Sequence, residues 1–159
     1  MNKERSMTAF YLETLLMVLI FVLVIVIISQ VLGLAKEKSR EADQLNSAVC
    51  IALNAAEAVE AADSSKDLRK LLDETGSADM TRQDGAPTIS IWYDHSMQPL
   101  TEEEASAADD ALRMEVTWEP EKQKTGTFVR SQIRVYAKAG GAGPVYTLDA
   151  GSYRREVLQ

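Results

Sequence analysis

The stretch that decides the fold runs from Phe10 to Ile28 and reads FYLETLLMVLIFVLVIVII. Fourteen consecutive apolar residues occupy positions 15–28, and apolar residues resume from Val31 to Ala35. A helix over residues 11–35 is roughly 37 Å long at about 1.5 Å per residue, enough to cross a bilayer. The sequence therefore predicts a single transmembrane helix near the N-terminus.

Topology is less strongly encoded than the span itself. Lysine and arginine flank the apolar run on both sides, so their count does not decide the orientation. They are Lys3 and Arg5 before the run, and Lys36, Lys38 and Arg40 after it. The short N-terminal tail favours an N-terminus in the cytoplasm, which leaves the bulk of the chain on the extracytoplasmic side of the cell membrane.

Glu13 places a carboxylate at the start of the apolar run. A charged side chain costs about 2.5–3.5 kcal/mol at the bilayer centre and less near an interface. Such a group usually has a partner or a function. Glu13 either rests at the cytoplasmic interface, paired with Arg5 or water, or contacts another subunit.

The main competing interpretation of this segment is a signal peptide cleaved after Ala35. Lys3 and Arg5 would form its basic region, and Gly33-Leu34-Ala35 its small-x-small cleavage site. The apolar run is longer than is usual in signal peptides, and a carboxylate at its start is atypical. A retained helix is therefore favoured.

The helix is predicted to continue past the membrane segment. Residues 36–62 contain no proline or glycine and are rich in good helix formers. Apolar residues recur there at helical spacing: Ala42, Leu45, Val49, Leu53, Ala56 and Val59. This stripe is alanine-rich and lasts under four heptads, which favours packing on a sheet over a coiled-coil stalk. Cys50 is predicted to be an inert packing residue.

The remaining residues predict short elements around a sheet. Ser65 would cap a helix over 66–74 with Leu68, Leu71 and Leu72 inward and Gly76 as its stop, followed by a loop over 75–87. Thr101 and Glu104 form a capping-box pattern for a helical turn over 102–110. About four largely antiparallel strands are predicted from alternation and turn signals: 88–93 with a short return at 97–100, 114–118 ended by Pro120, 128–138, and 145–148 with an extension at 153–157. The predicted fold class is α+β.

Other features exclude whole classes of function. The net charge of −7 leaves no basic surface for nucleic acid. The lone cysteine and lone histidine, His95, argue against a metal site, and the acidic run Glu102–Glu104 is interpreted as a solvated helix N-terminus. The glycine-rich run 140–143 is predicted to be a loop between strands. We expect no catalytic residues and no cofactor.

The pattern Ala9-Phe10-Tyr11-Leu12-Glu13, followed by the apolar run and the amphipathic stretch, resembles the N-terminus of type IV pilins and pseudopilins. The strand Val145-Tyr-Thr-Leu-Asp-Ala-Gly-Ser-Tyr153 is similar to that of minor pilin-like proteins of Gram-positive bacteria. The resemblance implies a long helix, transmembrane and then amphipathic, packed on an antiparallel sheet. It implies a leader or cytoplasmic tail over 1–8, a membrane half over 9–35, an amphipathic half over 36–62, and an extracytoplasmic domain over 63–159.

The resemblance also implies a function and partners. A prepilin peptidase would cut at a site among Thr8, Ala9 and Phe10, where this chain lacks the glycine usual in the family. Glu13 would then pair with the new amino terminus of a neighbouring pilin-like subunit. The expected role is a structural subunit of a type IV pilus or type II secretion-like filament, held in the lipid bilayer before an assembly platform extracts it. The alternatives are a membrane protein with an outer sensing or scaffolding domain, and a secreted binding domain beginning at Lys36.

Overall fold

The structure is a computed structural model that describes the backbone of residues 2–73, 77–83, 85–123, 126–138 and 143–155, and side chains of residues 10–154 within those ranges. The first helix, α1, extends over Asn2–Ala61. The chain divides into two compact units, Met1–Ala42 and Asp43–Gln159. Helix α1 forms the described part of the first unit and begins the second.

The second unit contains two short helices and a six-stranded antiparallel sheet within the described residues. The helices are α2 (Ser65–Leu72) and α3 (Glu102–Ala107), and the strands are β1 (Asp79–Gln83), β2 (Ala86–Tyr93), β3 (Pro99–Leu100), β4 (Leu112–Gln123), β5 (Gly126–Ala137) and β6 (Tyr146–Arg155). Their order is β1-β2-β4-β5-β6, with β3 paired to the end of β2. The α+β prediction, a long helix packed on a small antiparallel sheet, is confirmed, but six strands form where about four were expected.

The core lies between one face of the sheet and the second part of α1. Alternate strand residues supply the sheet side, including Ile89, Ile91, Met114, Val116, Ile133 and Val135, all fully buried. The helix side consists of Ala48, Ile51, Ala52, Ala55 and Val59, which follow a spacing of three and four residues, and Ala62 joins them just past the helix end. Alanine brings little side-chain bulk between the helix backbone and the strands, so branched side chains of the sheet fill the space.

The predicted orientation of this helix was wrong. Leu45 and Leu53, central to the predicted stripe, are 44% and 50% exposed, while Ala48 and Ala52 are fully buried. Of the predicted stripe, only Val59 is fully buried, and Ala56 packs against the core while partly buried. The prediction assigns the larger aliphatic side chains to the buried face, whereas the smaller side chains pack on the sheet.

A strand also forms within the predicted loop over 75–87. Residues 79–83 form β1, which pairs antiparallel with β2 from Asp79 opposite Ser90 to Gln83 opposite Ala86. Gly85 in the connection has a φ of 86°, a conformation that glycine adopts without strain. The side chains of β1 are mostly polar and exposed, so backbone pairing forms this strand without an alternating apolar pattern. Residues 75, 76 and 84 lie outside the described residues.

Strand β4 was expected to end at Pro120 but continues to Gln123. Its pairing with β2 ends at Thr117, so only β5 accompanies the remainder of the strand. Proline lacks an N–H donor and is tolerated where a strand has a neighbour on one side alone.

The two predicted segments at 145–148 and 153–157 are one continuous strand, β6. Gly151, between them, stays in register opposite Arg130. A Cβ atom at Gly151 would lie 2.8 Å from Cζ of Phe128, so the aromatic ring occupies the space that a side chain would fill. Residues 156–157 of the second segment, and residues 140–142 of the predicted glycine-rich loop, lie outside the described residues.

Both short helices have side-chain caps. Ser64, not the predicted Ser65, accepts the hydrogen bond from the backbone N–H of Asp67 at 3.2 Å. In α2, Leu68 is buried but Leu71 is 49% exposed, contrary to the prediction that both face inward. Glu74 and Gly76, the predicted end and stop of this helix, lie outside the described residues.

The predicted capping box is present in α3, although the helix ends at Ala107 and not at residue 110. The Thr101 hydroxyl accepts from the backbone N–H of Glu104 at 3.3 Å, and the Glu104 carboxylate accepts from the backbone N–H of Thr101 at 2.9 Å. The backbone N–H of Thr101, and secondarily its hydroxyl at 2.9 Å, donate hydrogen bonds to the Glu104 carboxylate and lower its pKa.

A buried carboxylate and a tyrosine lie together near α2 and β2. Asp73 is 7% exposed and accepts hydrogen bonds from the backbone N–H of Ala78 and, at 3.3 Å, from the Ser77 hydroxyl. Burial, and secondarily the charge of Asp73, raise the pKa of Tyr93 to about 12. The neutral phenol is therefore the form that the folded protein favours.

We expect Tyr93 to make stability fall at alkaline pH. An unfolded tyrosine titrates near pH 10, so its contribution is fully present below about pH 10 and is lost as pH rises toward about 12. The variant Tyr93→Phe should not lose this contribution to the free energy of unfolding between about pH 10 and about pH 12. Urea unfolding of the full chain in detergent from about pH 8 to about pH 12 would measure the difference, because this range includes the titrations of both the folded and the unfolded tyrosine. Tyr136→Phe, on the other face of the sheet, should retain it. Equal pH profiles for wild type and Tyr93→Phe would contradict this assignment.

Lys138 joins the end of β5 to α3. Its Nζ donates to the carbonyl oxygens of Ala105 at 2.8 Å, Ser106 at 2.5 Å and Ala108 at 2.9 Å. The ammonium group thereby satisfies carbonyl groups at the end of a helix whose last turn contains no basic residue of its own.

Replacement of Lys138 by Met should destabilise the full chain by about 1–2 kcal/mol, because the carbonyl groups lose a charged donor. Thermal unfolding in detergent would measure the change, with Lys122→Met, at an exposed position of β4, as the matched control. A destabilisation no greater than that of the control would show that the Lys138 contacts contribute nothing.

Candidate functional site

The predicted processing and assembly residues all lie within α1. Thr8, Ala9 and Phe10 are helical, and the Phe10 side chain is 67% exposed. The Phe10 and Tyr11 rings meet edge to face, with centroids 6.4 Å apart. The side chains of Thr8 and Ala9 lie outside those that the structure describes, as does that of Arg5, the alternative partner of Glu13.

Glu13 is exposed on the helix surface one turn after Phe10. The neighbouring Thr14 hydroxyl donates to the Phe10 carbonyl at 2.9 Å, and the Ser29 hydroxyl donates to the Ile25 carbonyl at 2.9 Å. These bonds to the preceding turn satisfy hydroxyl groups that would otherwise be unpaired in an apolar medium. Glu13 is the only charged residue from Ser6 to Ala35.

The apolar side chains of this segment are uncovered within the described structure. Between Leu15 and Leu34 every large aliphatic or aromatic side chain is at least 44% exposed. The segment has a mean hydropathy of 3.2 in its most apolar window, and none of that window is buried. A helix of this length and composition is compatible with a membrane anchor.

The transfer free energies of its side chains favour insertion of this part of α1 into a membrane despite the carboxylate of Glu13. Leu, Ile, Phe and Val each contribute about −0.3 to −0.6 kcal/mol at the centre of a membrane helix. The fourteen residues 15–28 together contribute about −4 to −8 kcal/mol on that scale. One carboxylate costs about 2.5–3.5 kcal/mol even at the centre, and Glu13 lies at the end of the run.

The other polar candidates lie outside any enclosed site. His95 Nδ1 is 3.7 Å from Asp110 Oδ2, with both side chains more than half exposed. Glu104 acts in the capping box, and Cys50 is half-buried and free. In the described part of the chain no three His, Cys, Asp or Glu side chains form a group that could hold a metal ion.

Two arginine clusters were missed by sequence reasoning. Arg113 lies between the rings of Trp92 and Tyr136, at 5.7 Å and 5.1 Å from their centroids, and pairs with Glu115 at 2.9 Å. Arg113 on β4 lies directly opposite Trp92 on β2 and Tyr136 on β5. Their positions on alternate strand residues were visible in the sequence, but the register that brings them together was not.

The second cluster connects the sheet to the end of α1. Nη1 of Arg154 donates to Asp63 Oδ1 at 2.6 Å, and Nη2 donates to the carbonyl of Val59 at 3.4 Å. The guanidinium also lies 5.7 Å from the ring of Trp118. A cation from β6 thus interacts with the negative end of the helix dipole, where α1 has no basic residue of its own.

Comparisons with protein-family models, with curated proteins and with solved structures give no match for this chain. A function for this chain is therefore inferred from its own sequence and geometry.

Membrane anchoring by α1 can be tested by charge insertion. Val22→Arg combined with Ile25→Arg adds about 5–7 kcal/mol to the cost of insertion, which offsets the favourable term of the apolar run. We expect most of the double variant to leave the carbonate-resistant membrane fraction. Leu71→Arg, at a comparably exposed position of α2, should remain in that fraction with the wild type. Undiminished membrane integration of the double variant would contradict the anchor.

Proposed function

We propose that this chain is a minor pilin-like or pseudopilin-like structural subunit of a type IV pilus or type II secretion-like filament, held in the membrane by α1 before assembly. The observation that carries the proposal is one helix with two surfaces. Its first part exposes apolar side chains along its whole circumference, and its second part packs on an antiparallel sheet. A filament subunit needs the first surface for lipid and then for neighbouring helices, and the second to carry a folded domain.

Glu13 has a specific role in this proposal. Cleavage between Thr8 and Ala9, or between Ala9 and Phe10, would create an α-amino group within one turn of Glu13. In a neighbouring subunit that amino group would neutralise the carboxylate in an apolar environment, where an unpaired charge is strongly unfavourable. The pairing would set the axial register of subunits, while apolar packing would supply most of the association energy.

A second candidate function is a membrane protein with an outer sensing or scaffolding domain that enters no filament. The residues before Phe10 favour this candidate, since Thr8 and Ala9 stand where the family usually has glycine. The mature N-terminus, determined by mass spectrometry of the protein purified from membranes, distinguishes the candidates. Ala9 or Phe10 supports the filament subunit, Met1 supports the membrane protein, and Lys36 supports a secreted binding domain.

Replacement of Glu13 by Ala should abolish incorporation into filaments. Leaving the partner amino group unpaired costs about 3–5 kcal/mol, which corresponds to a loss of more than about a hundredfold in the assembly equilibrium. Incorporation is measured by immunoblotting of sheared surface filaments, or by crosslinking between subunits in membranes.

Two comparisons make this test specific. Glu13→Gln should fail like Glu13→Ala, because an amide has no charge to neutralise the amino group. Glu37→Ala, which removes an exposed glutamate beyond the apolar run of the same helix, should assemble normally. All three variants should remain in the membrane fraction, and wild-type incorporation of Glu13→Ala would refute the proposed role.

A further inference from the structure

The apolar segment of α1 contains a polar side chain whose hydrogen bonds the helix itself does not supply. Thr14 and Ser29 each donate to a carbonyl oxygen of the preceding turn, at 2.9 Å in both cases. The Gln30 amide makes no side-chain hydrogen bond among the described residues. Gln30 precedes Lys36, the first charged residue after the apolar segment, by six residues. At about 1.5 Å per residue its Cα lies about 9 Å inside that end of the segment.

The geometry of the helix directs the Gln30 side chain into the apolar layer. In an α-helix the Cα–Cβ bonds tilt toward the N-terminus. A residue near the C-terminal end of a membrane span therefore directs its side chain toward the bilayer centre and away from the nearer headgroups. An amide without a hydrogen-bond partner is unfavourable in hydrocarbon, so Gln30 requires a polar group at its own depth in the membrane.

Gln30 shares one face of the helix with Val26 and Gly33, at spacings of four and three residues. A Cβ atom added at Gly33 would meet no atom within 4 Å, so the helix surface is open beside the amide. Gly33 is the only glycine between Met1 and Thr75, and small residues let two membrane helices approach closely. We call the surface formed by Val26, Gln30 and Gly33 the amide face.

We propose that the amide face binds the amide face of a second copy of this chain, parallel to it in the membrane. Copies of one sequence insert with one orientation, so two Gln30 side chains lie at the same depth. An amide both donates and accepts hydrogen bonds, so the two side chains can bond reciprocally. The proposal rests on the membrane anchor of the proposed function and is independent of Glu13, of processing and of a filament.

The charges that follow the apolar segment are complementary between two parallel copies. The amide face continues along the helix to Glu37 and Arg40, which have opposite signs and lie three residues apart. Lys36 and Glu41 lie on opposite flanks of this line, and opposite flanks meet when two parallel helices pack together. Lys36 of one copy thus faces Glu41 of the other. The exposed pair of Lys38 with Glu41 within one helix engages only Oε2 of that carboxylate.

Energy transfer between donor-labelled and acceptor-labelled full chains in phosphatidylcholine vesicles measures this association. The labels are attached to Glu121→Cys, at an exposed end of β4, with Cys50 replaced by Ser. We expect transfer that rises with the ratio of protein to lipid and falls when unlabelled chain is added. Gln30→Leu should weaken association by about tenfold and stay in the membrane fraction, because leucine is more apolar. Ser29→Ala should associate like the wild type, because the hydroxyl that it removes is satisfied within its own helix.

Disulfide crosslinking locates the contact on the helix. In the Cys50→Ser chain, Val26→Cys on the amide face should form a covalent dimer under mild oxidation. Ile28→Cys should not, because residues two positions apart lie on different sides of a helix. Gly33→Ile should reduce the Val26→Cys crosslink by about tenfold, because its side chain keeps the two backbones apart.

Three results would overturn the proposal. They are the absence of energy transfer for a chain that is recovered in the membrane fraction, equal transfer for Gln30→Leu and the wild type, and crosslinking of Val26→Cys in native membranes to a different protein alone. The first result would leave the membrane anchor and the filament role intact. Loss of the wild type from the membrane fraction would instead contradict the anchor and this contact together.

Discussion

The packing of an alanine-rich face of α1 on the sheet is the interaction on which the second unit depends. Ala48, Ala52, Ala55 and Val59 are fully buried, as is Ala62 just past the helix end. Each alanine buries little surface, so branched and aromatic side chains of β2, β4 and β5 contribute most of the apolar area. The strands can supply that area because core-facing residues alternate along most of β4 and β5, and the pairing keeps one register from β2 to β6. Loss of the small residues would force the helix away from the sheet and open the core.

The same choice of residues determines what the helix leaves exposed. Because the alanines of α1 pack on the sheet, Leu45 and Leu53 lie to one side of the packed face and are exposed in the described structure. The first part of α1 has no small-residue face of this kind and exposes apolar side chains all around. One helix thus presents a lipid-compatible surface, a sheet-compatible face and an open flank, in accordance with the size and placement of its apolar residues.

Arginine side chains stabilise the arrangement at two places. Arg154 connects β6 to the end of α1, and its partner Trp118 belongs to the core. Arg113 connects three strands on the opposite face of the sheet through Trp92 and Tyr136. Neither cluster encloses a cavity or groups nucleophiles with bases, and both are consistent with roles in holding strands and helix together.

Much of the architecture follows from local sequence patterns. The long apolar run, the capping box at Thr101 and the alternation in β2, β4 and β5 were each sufficient to predict an element, since local geometry determines them. The errors have a common cause. Strand β1 is formed by pairing with β2, β4 continues past Pro120 because one side lacks a neighbour, and Gly151 is accommodated by the Phe128 ring. In each case a residue distant in the sequence determines whether the strand forms or continues. A local sequence pattern contains no information on such residues.

The sequence by itself determined that this chain has a helix apolar enough for a membrane, a single carboxylate at its start, and an α+β unit after it. These properties depend on composition and on spacing within a few residues. Only the tertiary structure decided which face of α1 meets the sheet, that Leu45 and Leu53 remain exposed, and that β6 is a long open edge. Those properties depend on which surfaces fit together, and the close approach of helix and sheet favoured alanine over the more hydrophobic leucine.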